Sequence, residues 1–473
     1  MIARLPIWFC FWAVIPGVQE QAPPEEVVRV ALRPAAAPVP ALKYQFLPEY
    51  RNQVSGNAVI HYHRAGQMIG KMPGPEDKLW QWLEMPSKDL PREEGRLFLQ
   101  RYHNLFRELE LASRCDRCDW QFRERIRTDA LGLLLPDIQQ LREFAHLLRL
   151  RAGLEIADGR VADAVRTLRI GFAMAKHANQ SPTMIAALVG VAIANQMADL
   201  VTDLIQVPGA PNLYWAITDL PQPFIDLRVT LQSERMIVSG LFSPLAEAGI
   251  DIRTTPLSSQ QLQVVIAGMG QLFDNTHGRE TTGLRLALIG MTAKGYPEAK
   301  EFLLAQGMAA ETVEAMPRLQ VVLIFALAEY DRLFDEMIKW QPIPYWQARP
   351  GMAKADQGLR EEKIKSGELG RIPLAAYLIP AVQKVFFATT RLDRKLAALR
   401  SIEAIRLYAA GHDGKLPAAL SEITEAPVPM DPVTGKDFDY KMEDGKAVLS
   451  APPPAGEQSR FGNYLKYELT LTK

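Results

Sequence analysis

A chain of 473 residues in which Lys plus Arg and Asp plus Glu each total 54 has no formal net charge. It lacks the cationic surplus that phosphate-driven nucleic-acid binding requires, so nucleic acid is not an expected partner. With 48% hydrophobic and 23% charged residues it is globular rather than disordered in composition, and its length calls for two or three domains.

Met1 to Arg4 makes a short positive start, and Leu5 to Val18 is nearly all apolar. That suits a secretory signal and falls short of the about 17 to 25 residues that span a bilayer. Residues 1–22 are read as a signal peptide, with an uncleaved anchor as the alternative. Cys10 follows Ile7, Trp8 and Phe9, which lack the small side chains that lipid attachment needs. Export follows as the expectation: periplasmic, envelope-associated or secreted. Pro23, Pro24, Pro34, Pro38 and Pro40 then mark residues 23–41 as a stiff, extended linker.

Residues 42–220 carry helical periodicity. A break at Ser55-Gly56-Asn57 precedes His61 and His63, which on a helix point about 200° apart and serve surface or polar contacts rather than a metal. Arg114, Arg117, Arg123, Arg125 and Arg127 alternate with Asp116, Asp119, Glu124 and Asp129, as on a solvated, self-compensated helix face. The clearest signal is a hairpin. Asp137 caps a helix with Leu141, Phe144, Leu147, Leu148 and Leu150 on one face; Asp158-Gly159-Arg160 interrupts; Val161, Ala164, Val165, Leu168 and Phe172 start the second. Ala152 and Ala164 allow close approach, so the pair is tetratricopeptide-like, although no second copy stands in register. Met184 to Ile205 forms the next helix. Its apolar run is cut by Asn195 and Gln196, as that of Ile372 to Val382 is by Pro373 and Pro380, so both suit buried helices better than lipid.

Residues 221–391 continue helical, with paired helices around Gly307. Gln320 to Trp340 runs from apolar to charged, as a helix emerging from a core does. Lys339 to Gly351 is expected to be an ordered aromatic loop, and Arg360 to Lys365 a solvated helix or linker. From 392 to 473 a helix ending at Gly411 gives way to period-two alternation. Phe438 to Met442 and Ala447 to Ser450 flank Asp444-Gly445 as a hairpin, and Tyr464 to Thr472 forms a last strand. The fold class expected is mainly α, helical hairpins followed by a small C-terminal α+β module.

Chemistry is sparse. Cys115 and Cys118 lack the further ligands of a zinc site, the His of haem attachment and the βαβ setting of a thioredoxin site. They remain a disulfide candidate on a helical turn, or two half-buried thiols. His103, His146, His177, His277 and His412 stand isolated in sequence, and no nucleotide, hydrolase or zinc-protease motif occurs. Asp431, Asp437 and Asp439 surround Pro432-Val433-Thr434-Gly435 and are a weak calcium candidate, although Asp-Pro-x-x-Gly is also what a simple turn demands. No cofactor is expected. Trp340, Tyr345 and Trp346 are the candidate aromatic surface, either a cleft lining or a plug between helix layers.

Leu42-Lys43-Tyr44 with Leu47-Pro48, Gly56-Asn57-Ala58, Arg117-Cys118-Asp119-Trp120, Met316 to Val322, Pro344 to Pro350, and Ala404 to Tyr408 before Gly414 to Pro417 stand in this order. Together they resemble an uncharacterised family of planctomycete-type exported helical proteins, a resemblance that implies export and no activity. The C-terminal module resembles the globular part of type II secretion pseudopilins in its long helix, Leu416-Pro417 and Asp431-Pro432 before a hairpin. It departs from them in lacking the methylation-type leader and the continuous membrane helix. These features lead us to expect a non-enzymatic interaction or scaffold protein of the cell envelope, partnered by another envelope protein. The alternative is an envelope hydrolase acting on a sugar or peptide polymer.

Overall fold

In the computed structural model the residues described are 27–70, 78–122, 136–240, 242–277, 281–369, 371–375, 379–457, 459 and 462–472. The signal or anchor segment at 1–22, Cys10 and the charges from Arg123 to Asp129 lie outside them. The described residues hold sixteen α-helices and six strands, a mainly helical chain with a small C-terminal sheet. They fall into two units. Of the described residues, one unit is drawn from 27–120, 136–227 and 387–472, and the other chiefly from 228–386.

In the first unit, β1 (Val28–Leu32), β2 (Val54–Asn57), α1 (Val59–Ile69), α2 (Lys78–Glu84), α3 (Arg92–Gln100), α4 (His103–Arg114) and β3 (Cys115–Arg117) come first. They are followed by α5 (Pro136–Ala157), α6 (Val161–Asn179), α7 (Met184–Leu204) and α8 (Tyr214–Thr218). The expected hairpin is α5 and α6, turned by Gly159 at φ 70°, a left-handed conformation that costs glycine little. Ala152 and Ala164 are fully buried, as the close approach requires. Buried Glu155 on α5 accepts from Arg151 Nε at 2.9 Å and from Thr167 Oγ1 on α6 at 2.6 Å, so the buried carboxyl group is hydrogen-bonded and paired.

Helix α7 starts at Thr183, whose Oγ1 accepts from the N–H of Ala186. Of the described helices it alone is long and apolar enough to cross a membrane. Here it packs against both α5 and α6 instead. The approach is tightest at two glycines. A Cβ on Gly171 would lie 2.1 Å from Met197 Sδ, and one on Gly190 would lie 2.8 Å from the Ala175 carbonyl oxygen. This three-helix layer replaces any regular solenoid.

The C-terminal sheet has the order β1-β6-β5-β4, with β4 (Asp439–Glu443), β5 (Lys446–Ala451) and β6 (Leu465–Leu471) antiparallel. Asp444 and Gly445, both at positive φ, turn the β4–β5 hairpin as the sequence predicts. The fourth strand corrects the expected linker. Val28–Leu32, inside the Pro-rich stretch 23–41, is β1, paired in parallel with β6 from Val28↔Tyr467 to Leu32↔Leu471. Val30 and Leu32 point into the core and Arg29 out, a period-two pattern lying between two groups of prolines. The stretch 392–473 is therefore not self-contained, because its sheet is completed by the N-terminal strand.

The long helix α16 (Pro380–Gly411) contributes its residues from Phe387 to this unit. Its buried face holds Leu396, Leu399, Ile402 and Ile405. Arg406, 1% exposed, donates to the carbonyls of Arg33, Ala210 and Pro211 and pairs with buried Glu403 at 2.9 Å. Burial pushes the Glu403 carboxyl up, and Arg406 opposes that push.

The second unit contains α9 (Arg228–Gly240), α10 (Ser243–Glu247), α11 (Ser259–His277), α12 (Thr281–Ala305), α13 (Ala310–Ala315), α14 (Arg318–Ile338) and α15 (Tyr345–Leu369). Gly307 turns the chain at φ 87° between α12 and α13. Helix α14 is continuously buried from Val321 to Leu327 and carries Glu329, Asp331 and Arg332 toward solvent, the gradient read from sequence. Buried Gln320 uses both amide hydrogens and its oxygen: it donates to the carbonyls of Ile252 and Thr255 and accepts from the N–H of Leu257.

Candidate functional site

The residues with most chemical potential gather where α1, α4, β3 and α6 meet. Ser55-Gly56-Asn57, expected only as a break, is strand β2, paired in parallel with β3. Asp116 fastens the pair, accepting from the N–H of Gly56 at 2.9 Å and from Ser55 Oγ at 3.2 Å. These bonds hold its carboxyl below the usual range. Asn57 accepts from the N–H of Asp119 and donates back to the Asp119 carbonyl, both at 2.9 Å. The Cys-x-x-Cys stretch thus begins on a short strand and not on a helical turn, because its backbone is taken up by β2.

Cys115 and Cys118 are both buried and stand as free thiols. The Cys115 thiol donates to the Leu111 carbonyl at 3.6 Å, and the N–H of Cys118 donates to Gln180 Oε1. Burial pushes both thiols up, away from the thiolate that nucleophilic or redox work needs.

His177, isolated in sequence, is the residue that one-dimensional reading misses. It is buried on α6, and burial pushes its pKa down to about 4, so the ring is neutral at physiological pH. Its Nε2 is 3.2 Å from the Cys115 carbonyl, which only accepts, so Nε2 carries the proton. Nδ1 then accepts from the Tyr62 hydroxyl at 2.8 Å. The Tyr62 ring stacks with Trp120 at 6.0 Å and Phe144 at 6.4 Å. A buried chain from Tyr62 through His177 to the Cys115 carbonyl therefore ties α1, α6 and β3 together. The available signal was a histidine flanked by Phe172 to Ala175 and Ala178 on a helix otherwise mostly buried there.

His61 and His63 diverge on α1 as helical geometry predicts. His61 Nδ1 lies 2.7 Å from Glu108 on α4, and His63 packs edge-on against Trp120 with Asp137 at 3.8 Å. Among the described residues no group of three or more His, Cys, Asp or Glu side chains is placed to hold a metal. His146 packs edge-on against Trp80, and burial with Arg142 and Arg149 nearby brings it down to about 4. Next to the Tyr62–His177 chain opens a pocket of about 290 Å³ that reaches Cys115 and His177.

The other candidates take structural positions. Asp431 is 1% exposed and accepts from the N–H of Val433, the Thr434 hydroxyl and Arg394. Asp437 and Asp439 point into solvent. The turn and the Arg394 pair consume the one carboxylate that a calcium loop would need most.

In the second unit, helix α15 starts at Tyr345, so the expected aromatic loop shrinks to a short turn. Tyr345 is buried edge-on against Phe386, Trp340 lies over Gly351, and Trp346 is exposed. A Cβ on Gly351 would stand 2.1 Å from the Trp340 ring. Gly351→Ala is therefore expected to cost about 1–3 kcal/mol by overpacking, against a helix-propensity gain of about 1. Near-ultraviolet dichroism and urea melts check this; a stabilised variant with unchanged tryptophan signals would refute the packing.

Compared with protein-family models, curated proteins and solved structures, the chain matches none of them.

Proposed function

We propose that this chain is an exported, non-enzymatic interaction protein of the cell envelope that binds another envelope protein through its N-terminal elements. The observation that carries this reading is a set of apolar side chains left in water on three consecutive elements. Tyr50, on a 3-10 turn, is 91% exposed; Val54 on β2 is 49% and Ile60 on α1 is 54% exposed. Grouped exposed apolar side chains mark interaction sites where single ones do not. Among the described residues strand β2 pairs only with β3, leaving a backbone edge of the kind that a partner strand extends. The neutral imidazole and protonated thiols beside it supply no activated nucleophile, which fits binding better than catalysis.

Gentle purification of the tagged protein from its own envelope fraction should yield a stoichiometric partner. A Tyr50→Ser/Ile60→Ser variant should retain its melting temperature and lose that partner by about tenfold or more. A solitary monomer, or a partner retained undiminished by the variant, counts against the proposal.

A further inference from the structure

The geometry points to the pocket of about 290 Å³ beside His177 as a binding site for a free diamino acid, with L-lysine as its simplest representative. The volume sits at the lower end of small-molecule sites and suits a ligand of about ten heavy atoms. Its walls come from separate parts of the first unit. Helix α6 contributes Lys176 and His177, β3 contributes Cys115 and Asp116, and the segment after α8 contributes Asp219. Leu47, Pro48, Ala173 and Pro221 supply apolar surface between them.

The charges define the ligand. Lys176 and Asp219 are exposed, and neither forms an ion pair among the described residues. Asp116 is kept ionised by its bonds to Gly56 and Ser55. His177 is neutral and both its ring nitrogens are engaged, so it adds shape and no charge. One cation and two carboxylates from different walls complement one carboxylate and two ammonium groups on a short aliphatic stem. A dicarboxylic acid would meet two like charges, and such juxtapositions carry discrimination. The apolar wall then covers the methylenes between the ligand's two ends.

The site is independent of the partner reading above, since a protein with no envelope partner still has this pocket. The test is calorimetric titration of the full-length protein with L-lysine, L-norleucine and L-glutamate. L-lysine should bind at millimolar concentration or below. L-norleucine, which keeps the stem and lacks the terminal amine, should bind about tenfold more weakly, and L-glutamate more weakly still. Asp219→Asn and Lys176→Gln lie at the surface and should keep the parent melting temperature while each loses about tenfold in L-lysine affinity. No heat with L-lysine at about 10 mM, equal binding of L-glutamate, or undiminished binding by both variants would overturn the assignment.

Discussion

Asp431→Ala is expected to destabilise the first unit by about 3–5 kcal/mol, lowering its melting temperature by roughly 10 °C. The cost comes from what the substitution leaves behind. Arg394 is 2% exposed, and its guanidinium donates to the carbonyls of Asn463 and Pro452 and to the Asp431 carboxylate at 2.8 Å. Burial alone pushes Arg394 down, and Asp431 opposes that push. Without the carboxylate a buried cation keeps only neutral carbonyls. The turn fails as well, because Asp431 accepts from the N–H of Val433 at 2.9 Å and from Thr434 Oγ1 at 2.9 Å. Asp431→Asn separates the two effects: its amide oxygen still serves Val433, while its amide nitrogen faces another donor. Urea unfolding of both variants decides the matter. If Asp431→Asn costs as much as Asp431→Ala, the charge dominates; if it is nearly neutral, the turn does. A loss under 1 kcal/mol for Asp431→Ala would refute the buried pair.

This pair also shows how far local pattern reaches. Asp-Pro-x-x-Gly names a turn because Pro fixes φ and Gly permits positive φ within five residues. Nothing in those five residues names Arg394, which stands on α16, 37 residues earlier. The same division runs through the fold. The α5–α6 hairpin, the burial gradient of α14 and the Asp444-Gly445 turn are set by neighbours in sequence, and period and turn chemistry reveal them. Strand β1 was not legible, because its short alternation among prolines becomes a strand only through a parallel partner at Leu465–Leu471. The site divides likewise. Helical geometry alone sends His61 and His63 apart. The meeting of Tyr62 with His177 spans 115 residues, and no spacing rule reaches across it.

The second large effect concerns pH. Asp393 on α16 accepts from the N–H of Phe224 at 3.0 Å, and burial nevertheless pushes its carboxyl up to about 7. An aspartate carboxyl ordinarily titrates near 3.8. With the folded value above the unfolded one, the native state binds the extra proton between these limits. Stability therefore falls as pH rises from about 4 to about 7 and stays reduced above that. The gap between these two values sets a ceiling of about 4 kcal/mol for this one group. Asp393→Asn keeps an oxygen for the Phe224 N–H and removes the charge. The variant should be more stable than the parent at pH 8, by up to that ceiling, and close to it at pH 4.5. Taking the difference between the two proteins at each pH cancels the acid titration of all the other carboxylates. Urea melts at the two pH values measure it. A variant destabilised equally at both would mean that the charged carboxylate is satisfied where it stands, and that burial is not what sets its proton affinity.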